Sequence, residues 1–315
     1  MSQKSKIEWT DATWNPVRGC SRVSEGCRNC YAERIAARFS KLPAEYEGTF
    51  RPPGIFGGFS EMTKAGPRWT GKVELIKSKL DEPLHWREPR RIFVNSMSDL
   101  FHESLSDGAI DRVFAVMALC PKHTFQVLTK RSERMQKYML SRQRSSTFWK
   151  SSCPFGYTFD FVSQLDGKGY SLLPFPLPNL HLGVSCENQA TKPRIEFLRQ
   201  TPAAVRFLSL EPLLENIGVI DLTGIHQVIV GGESGPGARP MNPDWVRSII
   251  QQCKAARVAV FVKQICDRGR KIPFELWPAD LQVRESIETH NEPSVVRSLA
   301  EPRGVSYRRS KEGTR

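Results

Sequence analysis

Cys20, Cys27 and Cys30 fall within eleven residues of one another in WNPVRGCSRVSEGCRNCYAERIAARF, a C-x6-C-x2-C spacing that leads straight into a helical pattern. A Cys-x2-Cys pair can chelate one metal centre, Gly19 and Gly26 let the backbone wrap closely, and a helix N-terminus favours the net negative charge of a thiolate-bound centre. Three ligands leave one position open. A structural zinc site wants four, and no second Cys-x2-Cys pair or His-x3-5-His follows in the chain. An iron–sulfur cluster on three thiolates keeps one iron free for an exogenous ligand, as reductive cleavage of S-adenosylmethionine requires. Zinc and chance buried thiols are the alternatives. Of the other cysteines, Cys120 and Cys253 lie in helix-like apolar patterns and read as core, Cys186 stands at a strand end near the site, and Cys153 and Cys266 are dispersed.

The elements that must position these residues are short apolar, β-branched runs separated by amphipathic helical stretches, the pattern of a parallel sheet built from βαβ units. Strands are expected at Arg91 to Asn95, Thr124 to Thr129, Leu180 to Ser185, Val205 to Leu210, Gln227 to Val230 and Val258 to Lys263. Each ends in polar chemistry: Ser96 and Asp99, Lys130 and Arg131, Cys186 with Glu187 and Asn188, Glu211, Glu233 and Ser234, and Lys263 with Gln264. In barrels and open α/β sheets that rim binds the ligand, because the loops after the strands converge there. Ser96 and Asn188 also read as helix caps. Two breaker-rich stretches, Leu42 to Trp69 and Ser151 to Pro178, are too long for ordinary connections and read as lids or binding loops. Residues 1–270 make one α/β domain on this reading, and 271–315 a polar, basic appendage.

The 315 residues are 39% hydrophobic and 25% charged, ordinary values for a globular protein rather than a disordered or fibrous one. No apolar run approaches the roughly eighteen residues of a membrane span, and the first residues lack the apolar stretch of a signal peptide. A cytoplasmic location is expected, where cysteines serve as ligands or buried thiols rather than disulfides. The 46 Lys and Arg outnumber 33 acids, for a formal charge of +13, which favours a polyanionic partner, nucleic acid first. Between Lys122 and Lys150 eight Lys/Arg face the single acid Glu133, and between Arg297 and Arg315 six face two. A solvated basic face is the plain alternative for either stretch.

The motifs WTDATWNPVRGCSRVSEGCRNCYAE, NSMSDLFHE, LTKR, GVSCEN, LSLEPLL and VGGESGPGARPM, in this order over most of the chain, resemble the phage-associated three-cysteine-motif protein family. The resemblance implies kinship with the radical S-adenosylmethionine superfamily, in particular its spore photoproduct lyase-like members, and so a partial or distorted (β/α) barrel of parallel strands. It implies a [4Fe–4S] cluster on Cys20, Cys27 and Cys30, S-adenosylmethionine as second cofactor, an external electron donor and a 5′-deoxyadenosyl radical. The first cysteine gap is longer than that superfamily's usual C-x3-C-x2-C. Asn29 stands where an aromatic residue usually packs near the adenine, with Tyr31 as its substitute.

On this resemblance Ser96, Ser185, Glu187 and Asn188 hold the cofactor's ribose and methionyl ends, and Gly231, Gly232 and Glu233 resemble the glycine-rich contact to its amino group. Glu211, Lys263 and Asp99 become candidate catalytic groups. Lys130, Arg131 and His102 become candidate substrate contacts, with a cap and a partly exposed histidine as the plain reading of Asp99 and His102. Trp9, Trp14 and Trp69 could stack on bases or simply pack. The expected activity is radical repair or modification of DNA or RNA, the base entering the barrel mouth as base-flipping enzymes require. Its rivals are a nucleic-acid-binding module with a structural cluster or zinc, and a radical enzyme acting on a small phosphorylated metabolite or a peptide.

Overall fold

A computed structural model describes residues 5, 7–40, 54–143, 152, 174–267 and 269–287. Seven strands form one sheet, and because each apolar run pairs in parallel with the next, strand order in space follows order in sequence. They are β1 (Ala12–Trp14), β2 (Arg91–Val94), β3 (Thr124–Thr129), β4 (Leu180–Ser185), β5 (Val205–Leu210), β6 (Gln227–Gly231) and β7 (Ala259–Gln264). Among the described residues β1 and β7 are the edges, so the barrel is half of one.

Alternation along the strands sorts side chains onto two faces. Ile92 and Val94, Phe125 and Val127, Leu182 and Val184, Leu208 and Leu210 and their counterparts on β6 and β7 form the main core. The helices that cover this face are α2 (Asp107–Leu119), α3 (Ser132–Gln143), α4 (Pro193–Arg199) and α5 (Pro243–Ala256), while α1 (Tyr31–Arg38) stands at the mouth. Their starts follow the caps in the sequence. The Ser106 side chain accepts from the Ala109 N–H, and Asn242, with Pro243 behind it, accepts from the Asp244 N–H. The intervening residues Phe93, Phe207 and Ile229 face the other way and form a smaller cluster with Trp9, Leu128 and Phe261. Trp9, Phe93 and Leu128 of this cluster form the floor of a cavity.

The expected strands are present with small shifts at their ends. β2 stops one residue early because Asn95 takes a left-handed conformation, φ 60°, in which its Oδ1 accepts from the Val17 N–H. In the stretch from Leu42 to Trp69, Ser60–Thr63 and Gly66–Trp69 form a hairpin. Residues 41–53, almost all of the second long loop with Cys153, residues 144–150 of the basic stretch, and the tail beyond 287 lie outside the described residues. Up to there, the stretch after 270 packs on the domain: Trp277 and Leu281 are buried in the main core, and the Val262 N–H donates to the Val283 carbonyl. No helix among the described residues is long and apolar enough to cross a membrane.

Candidate metal and cofactor site

The chain leaves β1, turns at Gly19 and runs into the cysteine loop. Gly19 has φ +88°, and a Cβ there would meet the Lys72 carbonyl and the Phe59 ring, so both conformation and space demand glycine. Residues 25–27 make one 3-10 turn, and Cys30 is the N-cap of α1. All three cysteines are free and line one cavity of about 400 Å³ at the C-terminal ends of the strands. Tyr31, Ser96, Asp99, Lys130, Arg131, Ser185, Glu211, Gly232, Glu233 and Lys263 line the same cavity, above Trp9, Phe93 and Leu128. Most of the rim expected from strand ends therefore converges on the cysteines.

Four carboxylates fasten the loop. Asp99 accepts from Arg131 Nη1 at 3.1 Å, and Arg131 also donates from Nη2 to the carbonyl and hydroxyl of Ser21, beside Cys20. Glu187, fully buried, accepts from Ser24 Oγ at 3.0 Å, from Lys130 Nζ and from Arg194 Nη1. Gly26 lies so close that a Cβ there would stand 2.6 Å from the Glu187 carboxyl carbon. Glu233 accepts from Asn29 Nδ2 at 2.9 Å and from the backbone and guanidinium of Arg239, which also reaches Glu25. Glu33, on α1, accepts from the Arg22 guanidinium and the Trp69 N–H. Burial pushes the Glu187 and Glu233 carboxyls up, but Lys130 and Arg194 at the first, and Arg239 and Asn29 at the second, outweigh it and hold both below the usual range.

The sulfurs have the opposite balance. Burial, with Asp99 nearby, pushes the Cys20 thiol up to about 12, and burial likewise raises Cys30, opposed by the N–H groups of Glu33 and Ala32. Those N–H groups stand too loosely for a capping hydrogen bond. Both shifts favour the neutral thiol over the thiolate. Among the described residues no three His, Cys, Asp or Glu side chains are grouped as ligands of a single metal ion.

The remaining expected residues fall in distinct places. Glu211 and Lys263 form an ion pair at 2.9 Å on the cavity wall. Gly231 lies beneath Glu211, where a Cβ would come within 2.8 Å of its Oε1. Tyr31 donates its hydroxyl to the Ser96 carbonyl at 2.7 Å, joining α1 to the loop after β2. Asn188 caps the short turn Gln189–Thr191 in a capping box and is not among the cavity-lining residues, nor are Glu187, Gly231 and His102. His102 is buried and meets Ser21 Oγ through Nε2 at 2.8 Å, while its Nδ1 accepts from the Ser104 N–H. Burial and the Arg131 charge lower its pKa, which agrees with a neutral ring. Trp14 is fully buried with its indole N–H on the Lys79 carbonyl, Trp9 lies in the floor and Trp69 on the wall.

Sequence reasoning missed Ser21, Asn29, Arg239 and Lys271. Lys271 lines the cavity and makes no ion pair among the described residues. The basic stretch from Lys122 is less free than its composition suggests. Lys122 bonds to the Arg87 carbonyl, and Lys130, Arg131, Arg134, Lys137 and Arg142 each pair with an acid. Among the described residues the Arg18 and Arg34 guanidinium groups hydrogen-bond only to carbonyl oxygens, Arg34 on α1 at the mouth.

Fold and site together define a parallel half-barrel α/β protein with a three-cysteine cavity at its mouth. Residues 4–297 match the family described as proteins of unknown function, DUF5131, and the chain belongs to that family. No curated protein and no solved structure matches it.

Proposed function

We propose that this protein is a radical S-adenosylmethionine-type iron–sulfur enzyme that repairs or modifies nucleic acid, with Cys20, Cys27 and Cys30 holding a [4Fe–4S] cluster. One observation carries the reading: three free cysteines from a single fastened loop line a cavity at the ligand-binding end of a parallel half-barrel. The donor set fits the group. Three thiols line one cavity, close enough for their charges to act on one another, and a cluster takes each thiolate on a different iron. Kinship with the three-cysteine-motif and radical S-adenosylmethionine proteins belongs to this same proposal.

When bound, the cluster and S-adenosylmethionine would supply a 5′-deoxyadenosyl radical, with the electron coming from an external donor. The chain's own residues bind, orient and exclude water. Trp9, Phe93 and Leu128 make a dry floor, Tyr31 and Ser96 cover one side, and Glu211 with Lys263 offers an acceptor and a donor side by side on the wall. Lys271 is the cavity cation suited to an anionic group, since among the described residues Lys130 is neutralised by Glu187 and Lys263 by Glu211. Arg18 and Arg34 near the mouth supply positive charge for a phosphate backbone outside it.

The test is anaerobic purification with iron, sulfide and zinc analysis, EPR with and without S-adenosylmethionine, and Cys27→Ala as the comparison. A reducible cluster whose signal changes on adding S-adenosylmethionine, and which Cys27→Ala abolishes, supports the reading; a colourless zinc protein overturns it. Polynucleotide binding that weakens with added salt supports the substrate class. Cleavage of S-adenosylmethionine without such binding points instead to a small phosphorylated metabolite or a peptide.

A further inference from the structure

Arg131 follows β3 directly, and its side chain is only 4% exposed. Its guanidinium donors are engaged: Nε to both Glu103 oxygens at 2.9 and 2.8 Å, Nη2 to the Ser21 carbonyl at 3.3 Å and hydroxyl at 2.8 Å, and Nη1 to Asp99 Oδ2 at 3.1 Å. Nη1 also reaches Cys20 Sγ at 4.0 Å. A substrate-binding arginine needs donors to spare, and this one has spent them on Glu103, Asp99 and the loop that carries Cys20. The two acids differ in weight. Glu103 is 63% exposed, so water screens it, whereas the Asp99 side chain is 8% exposed. Asp99 is itself pinned by Thr129 Oγ1 at 2.7 Å and by the N–H groups of Phe101 and Lys130.

We propose that Arg131 is a positioning residue that sets the reduction potential of the centre held at Cys20, donating to its sulfur against the opposing charge of Asp99. This rests on the iron–sulfur reading above and deepens it. Reduction adds negative charge to a thiolate-bound cluster, and potential follows the charge and the hydrogen bonds at its sulfurs. Arg131 and Asp99 act on Cys20 with opposite sign. Removing either one therefore unmasks the other, and the two removals act with opposite sign. A residue that only holds the loop in shape predicts the same direction for both, because either loss loosens the site and admits water.

The measurement is an EPR-monitored redox titration of the anaerobically reconstituted full-length protein, with iron per chain determined on each sample. Arg131→Gln is expected to lower the midpoint and Asp99→Asn to raise it. Each should move the reduced-to-oxidised ratio at fixed potential by about tenfold, about 59 mV for one electron. Arg131→Lys, which keeps the charge but loses the fork, should fall between wild type and Arg131→Gln. Should Arg131→Gln fail to retain iron, Asp99→Asn and Arg131→Lys still move to opposite sides of wild type. Midpoints that shift the same way, or stay put with iron content unchanged, overturn the role of Arg131 alone. Wild-type protein that assembles no cluster overturns this inference together with the reading beneath it.

Discussion

The Glu211 carboxylate and the Lys263 ammonium meet at 2.9 Å above Gly231, with 14% and 22% of their side chains exposed to the cavity. A pair this sheltered but not sealed is worth more than a surface ion pair and less than a buried one. Glu211→Gln and Lys263→Met are each expected to cost about 1–2 kcal/mol, since each leaves a partly desolvated charge unmatched. The double variant should cost clearly less than the sum. Urea unfolding of the four proteins gives the coupling, and a value within about 0.3 kcal/mol of zero would show that the two groups do not sense each other.

Gly26 has no room for a methyl group against the Glu187 carboxylate, which Lys130 and Arg194 hold in place. Gly26→Ala should push the turn that carries Cys27 outward, at about 1–3 kcal/mol, and, on the iron–sulfur proposal, lower the iron retained. Gly108→Ala is the control: nothing lies within 4 Å of its Cβ position at the start of α2, so a neutral or slightly stabilising change is expected. Equal melting temperatures for the two variants would sink the steric argument.

Glu233 ties Asn29 and Arg239 together. In Glu233→Gln the Arg239 guanidinium keeps only the exposed Glu25 as a charged partner, at a cost of about 1–3 kcal/mol. Hydrogen exchange should quicken at Asn29 and Cys30 and at residues 237–239 together, while β3 and β4 keep their protection. Exchange that changes on one side of this contact only would count against the coupling.

His123 and His181 are both lowered to about 4, chiefly by burial, and among the described residues each has a buried Nδ1 without a partner. A depressed folded-state pKa means the unfolded chain binds protons first as pH falls. The stabilisation is full above the unfolded value near 6.5 and is lost as pH falls toward 4, by up to about 3 kcal/mol per histidine. His123→Gln or His181→Gln should flatten the stability curve between those pH values. A slope equal to wild type would mean that another group carries the acid sensitivity.

The six longer strands were legible because each buries an apolar, β-branched run on the helical face, and their ends gave the rim. β1 was not: Ala12–Trp14 is three residues long, and only its pairing with Ile92, Phe93 and Val94 makes it a strand. The cysteine triad is a local pattern and could be read directly. What fastens it could not, because Asn29 and Glu233 are 204 residues apart and Cys20 and Arg131 are 111 apart, and spacing in a sequence carries no distance of that kind. Composition could not show which charges are paired: the described basic residues after Lys122 answer acids within the fold.

That long-range fastening has a consequence during synthesis. The cysteine loop leaves the ribosome early, while Glu233 emerges 204 residues after Asn29. At about 5–20 residues per second, the three thiols wait about 10–40 seconds before their last carboxylate arrives. Through that interval they stand unshielded toward oxidants and stray metals. Fastening of the loop is therefore completed only late in the chain, and a fragment ending before β6 would carry every cysteine of the motif without Glu233 and Arg239.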